Sequence, residues 1–303
     1  MECVAPYSLF MDSTKKTTFL LRSGSTLVLW AITLGIIFRG WEVGFFLLIA
    51  TLGLVALWEY FDMLDVSGRP NFRIYGMVCS VFLLIGTFYF SQRLGPSHFY
   101  DLEMAVLLVF LLGVFARQMF QTTRDPVPIE TMAYTVFGLL YVVWLFSFMI
   151  KIVYVVPRNA DLTVNGQFYV LYLLAITKFS DMGAYIIGSL FGKHKLVPHI
   201  SPAKTWEGFL GALAFSLLAS FGLWMLLPGK LTLLNPTHCI ALGLILGFAA
   251  VVGDLAESLV KRSNNVKDSG KILPGIGGSL DLIDSLLFTA PLLYFYLLFI
   301  VKT

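Results

Sequence analysis

Nine stretches of apolar residues, at about 23–38, 43–58, 74–90, 102–116, 131–150, 168–190, 208–227, 239–260 and 283–301, take up more than half of the 303-residue chain. A helix needs roughly 20 such residues to cross the hydrocarbon core of a bilayer. In lipid, helices satisfy their own backbone polar groups, and open irregular chain does not. The expected fold class is therefore all-α: a polytopic integral membrane protein with about nine transmembrane helices. The charge content agrees, at 13% of residues against the roughly 25% of a soluble domain. This arithmetic excludes disorder, a collagen-like repeat, a disulfide scaffold and a large water-soluble domain, and Cys3, Cys79 and Cys239 are scattered without metal or disulfide spacing. The fourth run is short for a full crossing. Only a few residues separate the first two, which calls for a tight hairpin or local thinning of the bilayer.

The lysine and arginine bias sets the expected orientation. Fourteen cations (Lys15, Lys16, Arg22, Arg69, Arg73, Arg117, Arg124, Lys193, Lys195, Lys204, Lys261, Arg262, Lys267 and Lys271) fall on the N-terminal tail and the loops after the even-numbered spans, and six (Arg39, Arg93, Lys151, Arg158, Lys230 and Lys302) on the other side. This predicts an N-in, C-out topology. The first span has no small-residue cleavage site before Arg39, so it reads as a retained anchor. Residues 1–22 are expected to form a cytoplasmic tail, 23–160 a membrane scaffold of five spans, and 161–303 a catalytic region of four. Spans one to five carry no ionisable residue at their centres and end in aromatic residues such as Trp58 and Tyr60, the pattern of lipid-facing scaffold. Later spans admit Lys178, Asp181, Asp254, Glu257, Asp281 and Asp284. Any chemistry is expected there.

Span eight runs into GDLAESLVKRSNNVKDSGKILPGIGGSLDLIDS, from Gly253 to Ser285. At 100° per residue, Asp254, Glu257, Ser258 and Lys261 share one helical face. Asp281 and Asp284, spaced i, i+3, share a face of the next helix. Ionised carboxylates beside hydrocarbon must be paired or coordinated. Hard oxygen ligands without His or Cys suit Mg²⁺ or Mn²⁺, which bridge to phosphates. The cations Lys261, Arg262, Lys267 and Lys271 would hold a polyphosphate and an anionic lipid headgroup. Glycines around Gly277 and Gly278 would let backbone N–H groups approach a phosphate. The class is phosphoryl or nucleotidyl transfer.

A second element, SPAKTWEG from Ser201 to Gly208, offers Lys204 and Thr205 as nucleotide contacts. It lacks the glycine spacing of a P-loop, and the GxGG string lacks the context of a dinucleotide fingerprint. Lys178 and Asp181 are either a structural ion pair or part of the substrate site. Glu257 has a plain alternative as the i, i+4 partner of Lys261. The GxxxG spacings at Gly188–Gly192 and Gly243–Gly247 favour helix packing over ligand approach, and His98 and His238 read as far-side surface residues.

The string SLVKRSNNVKDSGKILPGIGGSLDLID closely resembles the signature of the phosphatidate cytidylyltransferases, or CDP-diacylglycerol synthases. Ser258, Lys261, Arg262, Lys267, Asp268, Pro274, Gly275, Gly277, Gly278, Asp281 and Asp284 match it in kind and spacing. GDLAES, SPAKTWEG and the stretch from Asp181 to Tyr185 resemble the family too, so the likeness covers about residues 175–290. Two positions depart: Ile276 stands for a histidine and Leu282 for an arginine.

The resemblance implies that CTP and phosphatidic acid give CDP-diacylglycerol and pyrophosphate, in a homodimer with a Mg²⁺-dependent and possibly two-metal site. The metal carboxylates would be Asp254 and Asp281, supported by Asp284. Lys261, Arg262, Lys267 and Asp268 would be catalytic, and Ser258, Lys204, Thr205, Gly277, Gly278 and Asp181 substrate-binding. The expected setting is a bacterial inner membrane with the site on the cytoplasmic face, without nucleic acid as a partner. A CTP-dependent enzyme for another lipid phosphate or a lipid alcohol, and a catalytically impaired relative, are the alternatives. A transporter is disfavoured because the intramembrane charge lies in one half.

Overall fold

The computed structural model of the chain describes residues 24–94, 99–121, 128–156, 166–270, 272 and 277–301. Ile276, Lys271, Pro274 and Gly275 lie outside the described residues, as does the tail 1–22. Each apolar run becomes a helix. Helix α1 spans Gly24–Arg39, and its sixteen residues reach about 24 Å, short of a full crossing. Gly40, with φ of +65°, makes the tight turn into α2, Glu42–Val66. Then follow α3 (Arg73–Leu94), α4 (Phe99–Met119), α5 (Pro128–Val155), α6 (Gly166–Phe191), α7 (Trp206–Leu226), α8 (Pro236–Ser263) and α9 (Ser279–Val301). Among the described residues, eight helices are long and apolar enough to span a membrane. The chain is an all-α polytopic membrane protein.

Helix α9 sits centrally and packs on α2, α5, α6 and α8, while α6, α7 and α8 pack successively on one another. Close approach of α6 to α7 depends on small residues: a Cβ on Gly211 would lie 2.6 Å from the Gly183 carbonyl oxygen. Gly243 and Gly247 likewise meet α7, where Ser216 Oγ donates to the Gly243 oxygen at 2.8 Å, so their GxxxG spacing serves packing. Within α5, residues Leu139–Trp144 form a π-helical turn, and the N–H of Leu145 reaches back five residues to the Leu140 carbonyl.

A two-stranded antiparallel hairpin, β1 (Lys195–Val197) and β2 (Ser201–Thr205), interrupts the helices between α6 and α7. Glu207 fastens it by accepting the N–H groups of Lys193 and His194 at 3.1 and 3.2 Å and meeting His194 Nδ1 at 2.6 Å.

Two features of the first half differ from expectation. Helix α2 runs eight residues past the expected end at 58, because its late carboxylates have partners: Asp62 and Asp65 both pair with Arg73 on α3. Trp58 is exposed and carries the Arg73 guanidinium 3.6 Å over its ring. Tyr60 does not face lipid. It is buried, and its hydroxyl donates to the Tyr134 carbonyl oxygen at 3.0 Å. Charge also enters the first half as a buried pair, Lys151 on α5 with both oxygens of Glu103 on α4 at 2.7 Å.

Candidate active site

Three helices and the hairpin bring the site together. On α8, Asp254, Glu257 and Lys261 lie on one face, as the 100° rotation requires. On α9, Asp281 and Asp284 point back at them. One carboxylate oxygen each from Asp254, Glu257 and Asp284 lies within 4.8 Å of the others, the one such acidic group among the described residues. Glu257 and Asp284 are buried. Asp284 Oδ1 accepts the N–H of Ser285 at 2.5 Å.

Three amines surround these carboxylates. Lys261 Nζ stands 2.5 Å from Glu257 Oε2 and 2.7 Å from Asp281 Oδ1. Lys204, carried in by β2, places Nζ 2.9 Å from Asp254 Oδ2. Lys178 on α6 reaches Asp181 Oδ2 at 3.4 Å and the Leu282 carbonyl oxygen at 3.3 Å. With Asp181 included, five carboxylates face three amines, an excess of two negative charges when all are ionised. Glu257 Oε1 is buried without a hydrogen-bond partner. An orphaned buried carboxylate oxygen, hard donors and excess negative charge fit a divalent cation.

Asp281 has a different set of contacts. Its Oδ2 accepts the N–H of Gly278 at 2.9 Å and of Ser269 at 3.3 Å, capping the start of α9 while Oδ1 holds Lys261. Thr205 is buried as the N-cap of α7, where Oγ1 accepts the N–H of Gly208 at 3.1 Å. Ser258 is half-buried on α8, and Arg262, Lys267 and Asp268 are exposed at its end and in the following loop. Arg262 Nη1 turns to the Val266 carbonyl oxygen at 3.5 Å.

A cavity of about 470 Å³ lies above the carboxylates, lined by Asp181, Tyr185, Ser189, Lys204, Thr205 and Asp254 among others. That falls within the range of small-molecule sites. A smaller slot of about 70 Å³ is walled by residues such as Trp30, Phe45, Leu52, Lys178 and Ile283. The Leu282 side chain lines this slot. An arginine there would point away from the carboxylates. Lys178 lines the apolar slot, and its partner Asp181 lines the larger cavity.

The chain matches the family model described as the cytidylyltransferase family over residues 20–300, and it belongs to that family. It is 36% identical over 260 residues to the phosphatidate cytidylyltransferase of Bacillus subtilis (strain 168), covering 84% of this chain and 89% of that protein. It is 30% identical over 255 residues to the phosphatidate cytidylyltransferase of Chlamydia pneumoniae, covering 82% and 80%. A third relative, the uncharacterized protein YnbB of Escherichia coli (strain K12), is 33% identical over 250 residues, covering 82% and 77%.

The resemblance names Asp254 and Asp281 as metal carboxylates with Asp284 in support, and sequence reasoning leaves Glu257 between two readings. The structure groups Asp254, Glu257 and Asp284, with Asp281 held by Lys261. It gives Glu257 both surroundings: Oε2 meets Lys261, Oε1 is buried without a partner, and one of its oxygens groups with those of Asp254 and Asp284. The residue that sequence reasoning missed is Glu59, whose carboxylate reaches the start of α9 from α2. A glutamate beyond an apolar run, followed at i+3 and i+6 by two more acids, looked like the water-facing end of a span.

Proposed function

We propose that the chain transfers the CMP moiety of CTP to phosphatidic acid, giving CDP-diacylglycerol and pyrophosphate, on the cytoplasmic face of a bacterial inner membrane. The observation that carries this reading is that Lys204 and Asp254 line a cavity of about 470 Å³, while Lys178, paired with Asp181 on that cavity's wall, lines an apolar slot. The bacterial relatives named phosphatidate cytidylyltransferase support it.

Asp254, Glu257 and Asp284 are the donors that would hold Mg²⁺; Asp281 joins them only when Lys261 leaves it for a phosphate. Bound Mg²⁺ supplies charge neutralisation for the CTP phosphates and the leaving pyrophosphate. Lys204 binds the triphosphate from the hairpin side, exchanging Asp254 for phosphate oxygens, and Thr205 holds the turn that delivers it. Lys178 orients the lipid phosphate, whose acyl chain starts in the apolar slot. A phosphatidate oxygen attacks the α-phosphorus in line, a new P–O bond forms, and the bond to the β-phosphate oxygen breaks with its electron pair leaving on pyrophosphate. The attacking oxygen is already anionic, so no general base is required. Lys261 offsets repulsion between the two anions, with Arg262 and Lys267 drawing substrate toward the exposed end of α8. Asp268, Ser258, Gly277 and Gly278 complete the proposed site, and a homodimer is the proposed assembly.

The test is purified protein with α-labelled and γ-labelled CTP. Phosphatidic acid should yield CDP-lipid and pyrophosphate in equal amounts. Transfer of the γ-phosphate to a lipid alcohol would overturn the reading. In a variant lacking native cysteines, His199→Cys should react with an impermeant thiol reagent from the cytoplasmic side and Lys230→Cys from the other. The reverse pattern would invert the topology.

A further inference from the structure

Helix α2 and the residues just after it brace both sides of the turn between α8 and α9, across 194 to 227 residues of sequence. At the end of α8, Ser67 Oγ donates to the Asn264 carbonyl oxygen at 2.7 Å, and the Arg69 guanidinium donates to that of Ser263. At the start of α9, Glu59 Oε2 accepts the N–H of Leu280 at 2.9 Å, and Ser279 Oγ donates to the Leu52 carbonyl oxygen at 2.9 Å. The first N–H groups of a helix have no acceptor within it. Here Glu59 takes one and Asp281 another, and two carboxylates at a helix N-terminus are favourably placed in its dipole. Gly270 and Gly278 leave the room this requires, since a Cβ on either would collide with the Glu59 carboxylate.

Glu59 is 1% exposed, and its Oε1 has no hydrogen-bond partner. Burying a carboxylate with one oxygen unsatisfied is an expensive way to stabilise a fold, because an apolar side chain of similar volume would pack there without that penalty. What an apolar residue cannot do is accept the Leu280 N–H. That bond, beside the one Asp281 accepts from Gly278, holds the first turn of α9, and Asp281 and Asp284 follow on that helix within the next turn.

We propose that Glu59 is a positioning residue: by holding the Leu280 N–H it sets where α9 begins, and so whether Asp281 meets Lys261 and Asp284 meets Asp254 and Glu257. Its part in catalysis rests on the activity proposed above. Its part in geometry does not.

The experiment compares Glu59→Leu, which removes the acceptor, with Glu59→Gln, which keeps an oxygen in its place. Amide hydrogen exchange over 278–286 and over α7 is measured alongside kcat and KM. In Glu59→Leu, exchange at the start of α9 should rise at least tenfold with α7 unchanged. Its kcat should fall by about 10²-fold, the usual effect of an ångström of misplacement, with KM for CTP within about threefold. Glu59→Gln should restore both exchange and kcat to near the wild-type values. If Glu59→Leu does not fold, Glu59→Asp, whose shorter arm cannot reach Leu280 without moving α9, should show the same local loosening and a smaller fall in kcat. Wild-type exchange at the start of α9 in a folded Leu or Asp variant would overturn the proposal. So would a Gln variant that loses turnover with its exchange unchanged. A wild type that forms no CDP-lipid would instead sink the proposed activity, with the exchange arm still deciding the placement.

Discussion

Between α4 and α5, Glu103 and Lys151 neutralise each other: Nζ is 2.7 Å from both oxygens, and the Phe148 ring lies 3.8 Å from the amine. Among α6, α8, α9 and the hairpin, three amines serve five carboxylates, and one buried oxygen is left over. Both clusters lie in apolar helices, so hydrophobicity alone does not distinguish them. Their charge balance does. Lys151 and Glu103 match in charge, whereas the carboxylate cluster carries an excess that a cation, with the anions that follow it, would offset.

The comparison is most exposed at Lys151. Lys151→Met strands the Glu103 carboxylate in an apolar site and should destabilise the protein by about 3–5 kcal/mol, while Glu103→Leu combined with Lys151→Met should recover most of that loss. Thermal unfolding in detergent reads both. A double variant that folds but loses turnover would give this pair a role in the chemistry and dissolve the contrast.

The unbalanced cluster should respond the other way. Asp254→Asn and Asp284→Asn remove negative charge from a site with too much of it, so folding is preserved or improved. Turnover should drop by about 10²-fold or more. A folded Asp284→Asn enzyme running at half the wild-type rate would break the link between charge excess and function.

Smaller effects sharpen the picture. Lys204→Met leaves Asp254 without its amine and the cavity without a cation, and should raise KM for CTP about tenfold, the value of one charged hydrogen bond. A larger change in KM for the lipid would assign Lys204 to the wrong substrate. Least affected should be Leu282→Arg, because that side chain lines the apolar slot and not the carboxylates. Its kcat should stay within about threefold of wild type, with any change falling on KM for the lipid.

These contrasts also mark what the sequence could and could not convey. The helices were legible because apolar length is a local property, and Asp254 and Lys261 because a helical face is an arithmetic of spacing. The roles of Thr205 and Asp281 were not. Each carries the polar group expected of a ligand contact, but each also stands at a helix start, where backbone N–H groups compete for it. Ser269 shows the same limit: within a charged loop it reads as solvent-facing, yet it is buried against the site. Glu59 was out of reach, since its partner is Leu280 and no periodicity links two residues so far apart in the chain.

The π-helical turn at Leu139–Trp144 carries a consequence for how this chain tolerates change in length. Above it, Thr135 Oγ1 accepts the N–H of Phe72; below it, Lys151 meets Glu103. Those two attachments are in phase across a turn that holds one residue more than an α-helix would. Deleting one residue of the turn would restore regular winding and leave both attachments in place, whereas winding the present residues as a regular α-helix would swing the lower half by about 100° and carry Lys151 away from Glu103. The turn thus absorbs one residue of length without cost to either mooring.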